Sequence, residues 1–280
     1  MEVVDAAERG LCWGVRRSLE TVDRALHAAP GTLPVLGSLA HHPRLVEGLA
    51  RRGAPVVQDH SEITGDRVVV TAHGLPPATL ATLARRGLTV IDATCPIVRR
   101  AQQAVSSHAA HGRFVVIYGE PGHVEVQGLL GWAGPAAVAT TSPIEAAAAV
   151  PVGADIGLVS QTTRESAAYH SFACELIDAF GPGRVTVLET VCGVTERQKL
   201  SARALAADVG VVVVVGGLAS ANTRHLGEVC TAEGAVVHRV ETAEDLRPEW
   251  FRGVTRVGVT AGASTPDDVL DGVRAWLETH

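Results

Sequence analysis

Three cysteines stand at equivalent points of the chain: Cys12 in MEVVDAAERGLCWGVRRSLE, Cys95 in VIDATCPIVRRAQQAV and Cys192 in VTVLETVCGVTERQKLSARAL. Each follows a valine-bearing run and an acidic residue, and each opens an arginine-bearing amphipathic segment. The intervals are 95 − 12 = 83 and 192 − 95 = 97 residues. No CxxC pair is present, which argues against a zinc ribbon or finger, and the usual four-cysteine ferredoxin spacing is absent. Three thiolates on one iron–sulfur cluster would leave one iron without a protein ligand, and an open metal position can act as a Lewis acid. A helix start beside each cysteine favours the thiolate. The alternative is that the three are buried space-filling residues; their repeated position favours a metal. Cys174, among Phe172, Ala173, Leu176, Ile177 and Phe180 at helical spacing, reads as an ordinary core cysteine, as does Cys230.

A second polar set follows each cysteine at nearly constant offset. His41 in PVLGSLAHHPRLVEGL lies 41 − 12 = 29 residues on, His123 in FVVIYGEPGHVEVQGLL 123 − 95 = 28, and Ser220 in VVVVVGGLASANTRHLGEV 220 − 192 = 28. A third set comprises His73 in RVVVTAHGLPP, Gln161 and Thr162 in DIGLVSQTTRES, and Ser264 in TRVGVTAGASTPDD. His41, His73 and His123, with Ser220, Asn222 and Ser264, are donors suited to phosphate oxygens, assisted by amides at helix N-termini. Glu125 stands two residues after His123. If buried, its carboxyl has a raised pKa and can deliver a proton; as a solvated loop residue it does neither.

The elements that must position these residues follow from the same segments. Each of the nine ends an apolar strand with a small or polar loop and then starts a helical pattern. That is the signature of parallel βαβ units, and continuously apolar strands such as VVIYG, VVVVVGG and VGVTAG are those covered on both faces. In open α/β sheets ligands sit beyond the carboxyl ends of the strands, where the polar residues above lie. The expected architecture is α/β: three pseudo-repeated modules about a pseudo-threefold axis, their nine loops aimed at one centre. The modules span residues 13–95, 96–192 and 193–280, the third completed by 1–12. Three ordinary α/β units with independent loops would leave the same echoes.

Bulk properties narrow the function classes. A 280-residue chain with 46% hydrophobic and 19% charged residues is globular. A net charge of −6 excludes broad binding to nucleic acid or an anionic membrane, so any anion site must be local. No apolar run reaches the length of a membrane span, and the N-terminus lacks the basic and hydrophobic regions of a signal peptide. Five cysteines are no disulfide framework, and a reducing cytoplasm is the expected location.

Taken together, GLCWGVRRSLETV, TAHGL, DATCP, GHVEVQG, SQTT, ETVC and VTAGASTPDD resemble the signatures of the IspH (LytB) family, 4-hydroxy-3-methylbut-2-enyl diphosphate reductase, from Cys12 to Pro266. The resemblance implies three pseudo-repeated α/β modules in a trefoil around a central iron–sulfur site, a [4Fe–4S] cluster on Cys12, Cys95 and Cys192 with an open iron, found as [3Fe–4S] after oxygen exposure. It implies an allylic diphosphate substrate held by His41, His73, His123, Thr162, Ser220, Asn222 and Ser264. Catalysis falls to Glu125, Thr162 and His123, with Glu125 protonating the departing hydroxyl. Two electrons come from a donor such as ferredoxin or flavodoxin, giving isopentenyl and dimethylallyl diphosphate in the non-mevalonate isoprenoid pathway. The family's usual HPEV is here His123-Val124-Glu125-Val126, its KNSSN is Leu218-Ala219-Ser220-Ala221-Asn222, Trp13 is bulkier than the usual neighbour of the first cysteine, and the segment around Thr195 is one residue shorter. These departures keep two alternatives in view: a divergent paralogue acting on another small substrate with the same cluster, and a non-catalytic iron–sulfur sensor.

Overall fold

The structure, a computed structural model, describes residues 1–37, 39 and 42–280. The chain opens with β1 (Glu2–Asp5) and α1 (Trp13–Ala28). It continues through β2 (Val35–Leu36), α2 (Pro43–Arg51), β3 (Val56–Val57), β4 (Arg67–Val70), α3 (Pro77–Arg85) and β5 (Thr89–Asp92). Next come α4 (Pro96–Ala110), β6 (Phe114–Tyr118), α5 (Val124–Ala133), β7 (Ala137–Thr140), α6 (Pro143–Ala149), β8 (Ile156–Ser160), α7 (Ser166–Phe180) and β9 (Val185–Val187). Last are α8 (Gly193–Asp208), β10 (Val211–Val215), α9 (Ala221–Ala232), β11 (Val236–Val240), β12 (Arg256–Ala261) and α10 (Asp267–Thr279). Among the described residues, a helix follows a strand at each of the nine places read from the sequence.

The described chain divides into two compact units, one of Met1–Arg16, Ser38–Val56 and Gly193–His280, the other of Arg17–Gly37 and Val57–Cys192. The first carries a sheet ordered β1-β12-β10-β11. Its register runs from Val3 opposite Val257 and Val213 opposite Val259 to Val213 opposite His238. The second carries two sheets, β3-β2-β4-β5 and β7-β6-β8-β9. In all three sheets every pairing the register defines is parallel.

The three sheets share one plan. The strand leading to a cysteine (β1, β5 or β9) is at one edge. Next comes the strand leading to the third polar set (β12, β4, β8), then the strand leading to the second (β10, β2, β6). The constant sequence offsets are therefore sheet positions.

Burial on both faces explains the unbroken valine runs. In β10, Val213 and Val215 pack with Val257, Val259, Val273 and Leu277 on one face, while Val212 and Val214 pack with Ala202, Leu205 and Leu226 on the other. In β6, Val116 and Tyr118 join Leu158, Tyr169 and Phe172, while Val115 and Ile117 join Ala101, Val126 and Leu129. Each fully buried valine contributes about 1.5–3 kcal/mol. Proline at the first helical position starts α2, α3, α4 and α6, where its missing N–H leaves no bond unmade.

Cys174 departs from expectation: it is exposed. Phe172, Ala173 and Leu176 of α7 are buried, and Cys174 lies two residues from both Phe172 and Leu176, which at 100° per residue is the opposite face. Cys230 is buried as expected.

Candidate active site

In the second unit the predicted residues form one connected set. Cys95 caps α4 and Cys192 immediately precedes α8. The Cys95 N–H donates to the Ala72 carbonyl at 3.0 Å, one residue before His73, and the Cys192 N–H donates to the Thr162 carbonyl at 2.7 Å. The His73 and His123 rings meet edge to face, centroids 6.0 Å apart. His123 caps α5, its Nδ1 accepting the Glu125 N–H at 3.2 Å. That bond fixes the tautomer: the ring proton sits on Nε2, a donor suited to an anionic oxygen.

Glu125 is 2% exposed. It lies on the first turn of α5, so the sequence's Gly-rich segment places it on a helix and not in a loop. Its Oε1 accepts the Thr162 N–H at 2.7 Å and its Oε2 accepts the Thr162 hydroxyl at 2.8 Å. Burial pushes the carboxyl above the ordinary carboxylate range, and the two Thr162 bonds partly offset that rise. Gln161 braces the same loop, its Oε1 accepting the Glu120 N–H at 3.1 Å and its Nε2 donating to Thr163 Oγ1 at 3.0 Å.

Burial likewise pushes the Cys95 thiol up; the Ile97 and Val98 amides lower it, and Cys192 and Glu125 raise it again. Groups that oppose one another's ionisation across a small space are what a bound cationic centre relieves. Among the described residues no three His, Cys, Asp or Glu side chains gather around one metal ion. A cubane cluster sets a different requirement, since each thiolate binds its own iron. Half-buried thiols at helix starts, outside any disulfide, fit such a group.

In the first unit the Cys12 N–H donates to the Ala263 carbonyl at 2.9 Å, one residue before Ser264, and Cys12 Sγ accepts the Val15 N–H at 3.4 Å. Gln198, buried on α8, steadies the preceding turn by donating to the Gly10 carbonyl at 2.9 Å. Ser220 caps α9 and its Oγ accepts the Thr223 N–H at 3.3 Å. Asn222 is 8% exposed, and neither its Oδ1 nor its Nδ2 has a partner. Buried polar atoms are ordinarily hydrogen-bonded, so this amide stands out among the described residues. His42, the N-cap of α2, is buried with Nε2 on the Glu241 carbonyl at 3.2 Å, and burial lowers its pKa. His41 lies outside the described residues.

The family departures divide between surface and interior: Thr195 is buried. Trp13, Val124 and Leu218 are all exposed, so these side chains change little in the core. Sequence reasoning missed Thr223 and Thr265, both buried beside the Ser220 and Ser264 loops. The only signal for them was the threonine one residue after Asn222 and the one after Ser264.

Comparison with known proteins agrees with the geometry. The family model described as LytB protein matches residues 3–278. A 4-hydroxy-3-methylbut-2-enyl diphosphate reductase of Oleidesulfovibrio alaskensis is 39% identical over 282 residues, covering all of both chains. One of Dehalococcoides mccartyi is 36% identical, covering 99% of this chain and 98% of its own. A solved structure of (E)-4-hydroxy-3-methyl-but-2-enyl diphosphate reductase, the terminal enzyme of the non-mevalonate pathway, matches the whole chain with TM-score 0.75 at 34% identity. The Plasmodium falciparum reductase shares the fold at TM-score 0.90 and 22% identity, over 99% of this chain and 87% of its own. With the match running nearly end to end and the cysteine junctions in one repeated frame, the chain belongs to the LytB protein family.

Proposed function

We infer that the chain removes the allylic hydroxyl of 4-hydroxy-3-methylbut-2-enyl diphosphate as water, taking up two electrons and two protons and giving isopentenyl and dimethylallyl diphosphate. The observation that carries this reading is the buried Glu125 carboxyl gripped by Thr162, whose carbonyl in turn holds the Cys192 amide. A proton donor and a candidate thiol ligand are thereby tied to the same residue, Thr162, an arrangement a sensor would not need.

Cys12, Cys95 and Cys192 would hold a [4Fe–4S] cluster, which when bound supplies electrons and an open iron that polarises the hydroxyl oxygen. Electrons arrive from an external donor such as ferredoxin or flavodoxin. His41, His73 and His123, with Ser220, Asn222 and Ser264, bind the diphosphate, and this remote binding energy fixes the hydroxyl at the reacting end. Burial favours the neutral form of Glu125, and that form would give its proton to the departing hydroxyl. The Thr162 hydroxyl and N–H orient the Glu125 carboxyl. The division into modules 13–95, 96–192 and 193–280 with 1–12 belongs to the same reading, each module contributing one cysteine.

The test is anaerobic turnover of this diphosphate by cluster-loaded protein with a chemical reductant. Glu125→Gln should keep the visible absorbance of the cluster and lose turnover. Negligible turnover by the unaltered protein, with iron and absorbance intact, would reject the reading.

A further inference from the structure

Thr223 stands between the Ser220–Asn222 turn and the loop that carries Ser264. It is 1% exposed. Its N–H donates to Ser220 Oγ at 3.3 Å, closing the turn from which Ser220 and Asn222 project. Its side chain is wedged between two glycines. A Cβ on Gly216 would lie 2.5 Å from Thr223 Oγ1 and 2.9 Å from Thr265 Oγ1, and a Cβ on Gly262 would lie 2.4 Å from Thr223 Oγ1. All three fall below 3.0 Å, a separation that real Cβ atoms do not reach. Gly216 also has φ +151°, whereas Gly262 is outside the positive-φ set, so at Gly262 the requirement is space alone.

Those glycines end neighbouring strands. Gly216 follows β10 and Gly262 follows β12. The Val215 carbonyl accepts both the Gly262 N–H at 2.9 Å and the Thr265 hydroxyl at 3.0 Å, and the Thr265 N–H returns to the Gly262 carbonyl at 2.9 Å. Thr223 therefore enters from α9 at the point where the two strand ends are tied together. As a β-branched residue on a helix it is held largely to two χ1 rotamers. A displacement of the wedge shifts the start of α9 against the Ser264 loop.

We propose that Thr223 is a positioning residue for diphosphate binding, wedged between Gly216 and Gly262 so that Ser220 and Asn222 keep register with Ser264. The proposal rests on the reading that these three residues hold the diphosphate. Thr223 acts through the two loops and leaves the proton-delivering groups alone. Misplacing one hydrogen bond to a charged oxygen should weaken binding roughly tenfold or more, without changing the chemical step.

The experiment uses the anaerobic, cluster-loaded protein and compares Gly262→Ala, Thr223→Ala and the double variant. The readouts are KM and kcat for 4-hydroxy-3-methylbut-2-enyl diphosphate and the inhibition constant of inorganic diphosphate. Each single variant should raise KM and the inhibition constant together, roughly tenfold, with kcat near that of the unaltered protein. In the double variant the alanine methyl of residue 262 occupies the space left by the threonine, and both constants should return toward the starting values. Unchanged constants in the singles would overturn the proposal, as would failure of the double variant to recover or a fall in kcat at constant KM. Should Gly262→Ala not fold, Thr223→Ala alone decides by the same split. If the unaltered protein neither turns over the substrate nor is inhibited by inorganic diphosphate, the parent reading fails and the proposal with it. If it does both and the variants match it, only the role of Thr223 is overturned.

Discussion

Thr162→Val should expose the proton affinity of Glu125 to measurement. Valine replaces the hydroxyl by a methyl of the same shape. It removes the 2.8 Å bond to Oε2 and leaves the 2.7 Å backbone bond to Oε1. Losing a hydrogen bond to an ionised carboxylate costs about 1.5–3 kcal/mol, against roughly 0.5–1.5 kcal/mol for a neutral partner. The variant is therefore destabilised more where Glu125 is ionised than where it is protonated, by about 1–1.5 kcal/mol, which corresponds to a further rise of roughly one pKa unit. The sign follows from linkage. The folded-state pKa of Glu125 already lies above its unfolded value, so its contribution to stability is complete below the unfolded pKa and is lost as pH rises through the folded one. Valine lifts the folded value again and deepens that loss.

Infrared difference spectra between the parent and its Glu125→Gln variant would isolate the carboxylic acid band. Its titration midpoint should move up by about one unit in Thr162→Val, in line with the hydrogen-bond difference above. The high-pH limb of kcat/KM should move by the same amount, while Glu125→Gln should remove that limb and lower the rate roughly 10²–10⁴-fold. An unchanged midpoint in folded Thr162→Val would refute the claim that this hydroxyl sets the carboxyl's affinity for its proton.

Three further outcomes follow from the same structure. Cys95→Ser or Cys192→Ser should abolish the visible absorbance and bound iron of anaerobically reconstituted protein, whereas Cys174→Ser, at an exposed position on α7, should change neither. Asn222→Ala should leave the ligand-free protein equally or more stable in denaturant, since two buried amide atoms without partners are removed, each a desolvation penalty of about 1–3 kcal/mol; affinity for inorganic diphosphate should fall in the same variant. His108 is buried on α4 against Gly157, and neither ring nitrogen reaches a partner in hydrogen-bonding geometry, the Leu158 backbone lying near enough only to favour the charged form slightly. Burial, with the Arg113 and His111 charges, lowers its pKa from 6.5 to about 4. Its stabilising contribution is thus present above the unfolded value and lost as pH falls toward about 4, by at most about 3 kcal/mol. His108→Leu should flatten that acid slope in thermal melts, and an equal slope in both proteins would contradict the assignment.

What the sequence disclosed and what it hid have separate physical causes. The inner strands were legible because burial on both faces demands continuous valine, and their spacing was legible because the repeat fixes sheet position. The outer strands were not singled out: β3 has two residues, and β7, Ala137–Thr140, is half alanine. Cys174 was misplaced because composition near a residue outweighed its helical angle. The cysteines, His73, His123, Glu125 and Thr162 were visible as types at fixed offsets. The missing valence of Asn222 and the wedge at Thr223 were not, since both depend on which atoms meet and not on which residues recur.

The repeated frame also explains how three copies can carry different chemistry. In each sheet the acceptor of the cysteine amide is the carbonyl two residues past the end of the adjoining strand: Ala263 after β12, Ala72 after β4 and Thr162 after β8. A cysteine placed by its backbone amide is indifferent to the side chains around that carbonyl. Ser264 and His73 can follow the acceptor, and Thr162 can be the acceptor itself, without moving the sulfur they adjoin. The same reasoning holds at the second set, where a histidine at position 123 and a serine at position 220 cap equivalent helices. Their cap bonds satisfy one N–H each whatever else the ring or hydroxyl binds. Backbone hydrogen bonding thus fixes where the thiols stand, and side-chain choice decides what is bound beside them. Away from the cysteines themselves, a substitution that leaves the strand ends intact should change ligand affinity or rate before it changes iron content, and one that moves a strand end should lose the iron first.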